Sequence, residues 1–185
     1  MPTSSPRPQM IKAAPADGYQ VWPYRAEAAS PGGDRNNGGI DLLADPHRID
    51  EIHEATKENG LRYVLEALNN QDGPFMSLGC LSGEDGHYFS YVEFSLRDHA
   101  QAANEKTVMA VFDRWQSWIE QKDAECPGLA QALNDRSAWE YREFSLRGNA
   151  PQHLITVFHH ERDQESHRQV VEWFERFVLE ADHSS

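Results

Sequence analysis

Tyr91-Val92-Glu93-Phe94-Ser95-Leu96-Arg97-Asp98-His99-Ala100 returns fifty residues later as Tyr141-Arg142-Glu143-Phe144-Ser145-Leu146-Arg147-Gly148-Asn149-Ala150, with seven of the ten positions identical. So close a match within one chain favours an internal repeat. Side chains alternate across a strand, so each copy, read as a strand, sorts into two faces. Tyr91, Glu93, Ser95 and Arg97 share one face of the first copy, against Val92, Phe94 and Leu96. The second copy sorts Tyr141, Glu143, Ser145 and Arg147 against Phe144 and Leu146. Two matching strands of this kind predict a sheet, and the segments around them say what covers it.

Ahead of the first copy, Phe75 to Leu81 is another β-prone run, joined to Tyr88 to Arg97 by the turn formers Gly83-Glu84-Asp85-Gly86. Behind it, Val108, Val111, Phe112, Trp115, Trp118 and Ile119 fall on one helical stripe, while Asp113, Arg114, Ser117 and Glu120 face away. The second copy follows a short helical turn over Leu129 to Leu133 and leads through Gly148-Asn149-Ala150-Pro151 to a strand over His153 to Glu161. Ser166-His167-Arg168-Gln169 fits a capping box, opening a last helix with Val170, Trp173, Phe174, Phe177, Val178 and Ala181 on its apolar face. Upstream, Asp45-Pro46 is a helix-start signal, and Leu61, Val64, Leu65 and Leu68 keep the helical period up to the turn Gln71-Asp72-Gly73-Pro74. The order α-β-β-α-β-β-α predicts an α+β fold: an antiparallel sheet of four to five strands with helices packed on one face. The repeat makes this a partial ββα-type duplication, with copies near residues 75–122 and 129–182. The two amphipathic helices are expected to pack through Trp115 and Trp173.

The chain has 185 residues, enough for one domain with a real core. Seven of the ten prolines and five of the twelve glycines precede Arg48. Residues 1–45 are therefore expected to form a flexible tail, and residues 46–182 a single α+β domain. Within that tail, Tyr19-Gln20-Val21-Trp22-Pro23-Tyr24 is aromatic enough to dock as an edge strand, although Pro23 excludes a central position. The N-terminus lacks the apolar stretch of a secretory signal, and a cytoplasmic location is the default expectation. No apolar run approaches the length needed to span a bilayer.

Thirty acidic residues against seventeen basic ones give a formal charge of −13. Such a balance repels phosphate backbones and anionic membranes, so neither nucleic acid nor a membrane is an expected partner. A basic protein partner is favoured by the same charge, and a homodimer is a further expectation. Cys80 and Cys126 belong to no CxxC or Cys/His cluster. Adjacent His159 and His160 point to opposite strand faces, and His153 and His159 stand too far apart to share one ion. No phosphate loop, dinucleotide fingerprint, HExxH or GxSxG motif occurs. Neither a metal nor a cofactor is expected, and catalysis is the minority reading.

The repeated face carries the candidate site: Tyr91, Glu93, Ser95 and Arg97 with Tyr141, Glu143, Ser145 and Arg147. If the copies lie near a pseudo-twofold axis, they form a symmetric polar surface. One reading is a solvated charge ladder whose cross-strand pairs contribute a few tenths of a kcal/mol each. The other is a binding surface in which paired arginines hold an acidic group. The function expected overall is non-catalytic protein-partner binding, as in an immunity or inhibitor protein or a dedicated chaperone. In outline only, the element order and acidic character resemble type III secretion chaperones. The alternative is a small-molecule binder or enzyme using the Tyr/Glu/Ser/Arg face. An exposed apolar groove would favour a partner protein, and a closed pocket with converging Tyr, Glu and Arg would favour a ligand.

Overall fold

A computed structural model of the chain describes residues 8–27 and 38–181. Its strands are β1 (Ile11–Lys12), β2 (Val21–Trp22), β3 (Phe75–Glu84), β4 (Tyr88–Leu96), β5 (Ser137–Leu146) and β6 (Pro151–Glu161). Its α-helices are α1 (Leu61–Leu68), α2 (His99–Ala103), α3 (Glu105–Asp123), α4 (Leu129–Arg136) and α5 (Gln164–Ala181), with a 3-10 helix over Pro46–Glu51. The strands form one six-stranded, mostly antiparallel sheet in the order β1-β5-β6-β4-β3, with β2 also on β5. Only β1 and β2 run parallel to their neighbour, both along the outer edge of β5.

The four long strands are the two hairpins read from the sequence, and the helices follow from local chemistry. Asp98 caps α2 by accepting from the Gln101 amide at 2.8 Å, and Asn104 caps α3 by accepting from the Lys106 amide at 3.0 Å. The short α2 is an addition to the expected order. For α5 the cap is Asp163, which accepts from the Ser166 amide at 2.9 Å and from its hydroxyl at 2.8 Å. A carboxylate three residues upstream outcompetes the Ser166 capping box, and the helix begins three residues earlier, most of a turn.

Apolar sides of α1, α3, α4 and α5 converge on one sheet face, formed by Phe75, Val92, Phe94, Leu96, Trp139, Tyr141, Ile155 and Val157. Trp115 lies at the centre, 1% exposed, stacked on Trp118 and edge-on to Phe177. The α5 partner at that centre is Phe174, not Trp173. Trp173 is half-buried at the margin, edge-on to Trp118 and under the Arg176 guanidinium. The stripe predicted for α5 is rotated so that His167 and Val171 join the buried side.

The opposite face carries a second, smaller apolar cluster in which Trp22 and Tyr24 pack on Met76, Leu78, Phe144 and Leu154. Met10, Ile40 and Leu42, from the same N-terminal region, are buried in the larger cluster. Composition assigns residues 1–45 to a flexible tail, but within the described part of that region these side chains are core. Apolar content concentrated in a few positions compensates for the prolines and glycines around it. Residues 1–7, 28–37 and 182–185 lie outside the described residues.

The two copies of the repeated sequence occupy β4 and β5, which flank β6 and run parallel to each other. Being parallel, they cannot be exchanged by a twofold axis normal to the sheet. Glu93 and Glu140 both pair with Thr156, forty-seven positions apart, whereas the sequence repeat is fifty. An odd difference between the two spacings turns the second copy over. Val92, Phe94 and Leu96 meet the helices as expected, but in β5 the residues that do so are Trp139 and Tyr141. Phe144 and Leu146 face the N-terminal segment instead. The symmetric Tyr/Glu/Ser/Arg surface does not form. Among the described residues, no helix is long and apolar enough to cross a membrane.

Candidate functional site

The sheet face turned away from the helices is spanned by the N-terminal segment. After β2, the chain leaves β5 and crosses toward β3, where the Trp22 indole donates to the Leu78 carbonyl at 2.8 Å. Residues 38–40 then return against it, the Gly39 amide donating to the Tyr24 carbonyl at 3.0 Å. Only glycine permits that approach: a Cβ on Gly39 would stand 2.7 Å from the Trp22 Nε1 and from the Pro23 Cα.

Between this strap and the sheet is a cavity of about 700 Å³. Tyr19 and Tyr24 line it from the strap, and Gly79 and Leu81 from β3. Tyr91 and Glu93 of β4, Thr156 and Phe158 of β6, and Glu140 and Arg142 of β5 complete the sheet side. Ile52 and Glu54 close the end beside the β3 edge. The Gly79 position keeps the floor low, since a Cβ there would come within 3.3 Å of the Glu93 Oε2.

Arg142 is the centre of the floor. Its Nη2 meets the Glu93 Oε1 at 2.9 Å and the Tyr24 hydroxyl at 3.1 Å, while its Nη1 donates to the Tyr19 carbonyl at 2.8 Å. Tyr24 in turn donates to the Glu93 Oε2 at 2.7 Å. The ion pair is almost out of water, with side-chain exposures of 7% for Arg142 and 12% for Glu93. Burial opposes the Arg142 charge, but Glu93 and Tyr24 more than offset it and its pKa lies above the ordinary value. Burial, with Glu93 next, pushes the Tyr24 phenol far up, so it stays a donor. Each member of the cluster satisfies another, which locks three rotamers and ties the strap to two strands.

Other groups on the wall are chemically quiet. Tyr91 is pushed up to about 12 by burial, with contributions from Glu93, Tyr19, Cys80 and Glu54. Burial, reinforced by Glu54, pushes the Cys80 thiol up to about 12, so it is not a thiolate nucleophile near neutrality. Both cysteines are free thiols.

The structure scatters the eight residues read from the repeat. Tyr91 and Glu93 line the cavity. Ser95 is buried and donates to the His153 carbonyl at 2.7 Å. Arg97 staples the α1–β3 connection, donating to the Gln71 carbonyl at 2.8 Å and to the carbonyls of Asn70 and Phe75. Tyr141 is buried on the helix side with its hydroxyl donating to the Glu105 Oε1 at 2.5 Å. Glu143 is exposed, and Ser145 donates to the Asn149 carbonyl in the hairpin turn at 2.5 Å. Arg147 pairs with Asp41 and lies over the Trp22 ring.

Cavity residues missed from the sequence include Tyr19, Tyr24, Glu54, Glu140, Arg142 and Phe158. A signal for Arg142 existed. It stands where the first copy has Val92, a charge in an apolar slot, and the inversion of β5 is what that mismatch records. Two of the histidines, His159 and His167, make a separate cluster at α5. Ser137 and His159 Nδ1 are 3.0 Å apart, Ser90 and His167 Nε2 2.9 Å apart, and Ser90, His159 and Ser137 form one row across the sheet. All but Ser137 are buried and none lines the cavity. Among the described residues no group of three or more His, Cys, Asp or Glu could hold a metal ion. Comparison with protein-family models, with curated proteins and with solved structures finds no significant match, so function is read from the geometry of this site.

Proposed function

We propose that this chain is a small-molecule-binding protein whose ligand occupies the cavity between the N-terminal strap and the sheet. One observation carries the reading: tyrosine, glutamate and arginine converge on a cavity of about 700 Å³ with their positions already locked. Binding sites for small molecules have this size and make-up, with mostly apolar walls and a few preset polar groups. The site keeps Tyr91 and Glu93 from the repeated motif and replaces the second copy by Arg142 and Glu140.

Recognition of a basic protein partner rests on the net charge of −13 alone. Large apolar side chains exposed among the described residues are Ile11, Val21, Leu81 and Leu179, of which Leu81 belongs to the cavity rim. They belong to four different elements, β1, β2, β3 and α5.

The test is a fragment screen of mixed charge read by amide chemical shifts, repeated on Leu81→Trp, which fills the mouth from an exposed position. Hits should move the amides of Gly79, Tyr91, Glu140 and Thr156 in the parent and lose affinity at least about tenfold in the variant. Hits that map elsewhere, or that bind the variant equally, would remove the cavity as the site.

A further inference from the structure

We infer that the cavity selects a small organic cation, an amine or quaternary ammonium on an apolar body; this rests on the cavity being a ligand site. Four carboxylates, Glu27, Glu54, Glu93 and Glu140, line it against one guanidinium, Arg142. Arg142 is already matched by Glu93, and its donors also serve Tyr24 and Tyr19. Its charge is therefore offset within the cavity wall itself. Glu54 and Glu140 have no ion-pair partner among the described residues. An anionic ligand would therefore meet a wall of net negative charge.

Aromatic rings supply the second, independent half of the argument. Tyr91 and Phe158 stand directly opposite each other on β4 and β6, ring centroids 5.8 Å apart and tilted by 56°. Tyr19 is set edge-on to Tyr24 at 4.9 Å. Ring faces attract organic cations electrostatically, and more so when water is excluded. Burial keeps Tyr91 a neutral phenol, so its ring remains an uncharged face. A hard metal ion fits less well, because it takes six or more oxygen ligands at close range. The volume also exceeds what a bare ion needs and matches a cation with an apolar body.

The experiment titrates the full-length chain with three probes of similar shape, following amide shifts: benzyltrimethylammonium, benzyl alcohol and phenylacetate. The cation should saturate the shifts of Gly79, Tyr91, Glu140 and Thr156 at least about tenfold more tightly than the alcohol, and phenylacetate should leave them unmoved. Glu54→Gln with Glu140→Gln keeps the shape of the walls. The double variant should lose at least about tenfold in affinity for the cation while binding the alcohol as the parent does, which also shows the cavity intact. Alcohol or phenylacetate binding at these amides as tightly as the cation would overturn the cation inference and leave the cavity as a site for another ligand class. If none of the three moves these amides at millimolar concentration, the inference and the cavity reading fall together.

Discussion

Arg147 projects from a left-handed backbone (φ 54°) at the end of β5 and pairs with Asp41 at the surface, its side chain 56% exposed. Arg142, five residues earlier on the same strand, is buried against Glu93. The repeat made Arg147 the candidate, and burial makes Arg142 the consequential one. Arg142→Met leaves the Glu93 carboxylate buried without its cation and should cost about 3–5 kcal/mol. Arg147→Ala should cost about 1 kcal/mol or less. Urea unfolding of the two variants checks the contrast, and equal losses would contradict it. A pH dependence follows from the histidines under α5. His159 is lowered to about 3 from an ordinary value of 6.5 by burial, with His167 and His160 adding to the effect. His167 is lowered too, again mainly by burial. Between pH 6.5 and about 3 the unfolded chain therefore binds more protons at position 159 than the folded one. The stability contributed by neutral His159 is complete above pH 6.5 and is lost as pH falls through that window. The slope should approach about 1.4 kcal/mol per pH unit for this residue. His159→Phe, which keeps a ring against Phe174, should reduce the slope of stability measured from pH 6.5 to 4.5; an unchanged slope would place the pH sensitivity elsewhere.

Helices α3 and α5 were the most legible elements, because a long amphipathic stripe repeats its signal several times over. What the stripe left undecided was its exact centre. Trp173 and Phe174 are adjacent and both apolar, and only the position of α5 against Trp115 and Trp139 puts the smaller ring inside. Trp115→Ala and Phe174→Ala should each cost about 3–5 kcal/mol. Trp173→Ala, at the half-buried margin, should cost no more than about 2 kcal/mol. Denaturant midpoints for the three variants check the order, and a Trp173 loss as large as that of Phe174 would contradict the marginal position of Trp173. The strands were less legible for a related reason. In β5, Trp139 and Tyr141 face the helices while Arg142 and Phe144 face the strap, and a strand covered on both sides loses the alternation that tells its faces apart.

At the scale of the whole molecule, the N-terminal segment is what turns a two-layer fold into one with a site. Trp22 is 1% exposed and its indole bridges from the β5 edge to the Leu78 carbonyl. Trp22→Ala should cost about 3–5 kcal/mol, and a chain starting at Asp45 should unfold at markedly lower temperature than the full one. A shortened chain with an unchanged melting curve would make the segment dispensable, as its proline and glycine content had implied. Local chemistry was enough to determine the mixed α+β class, the two hairpins and the α3 and α5 stripes, because each depends on neighbours within a few turns or one hairpin. The order of the strands, the inversion of β5 and the convergence of Tyr24, Glu93 and Arg142 were decided only by the tertiary structure. Those three residues lie 69 and 49 positions apart along the chain and meet at 2.7 and 2.9 Å. No local period reports a contact of that range. It forms because β6 inserts between β4 and β5 in a register that buries Trp139 and Tyr141 on one side, which leaves Arg142 on the other, where a carboxylate was already waiting.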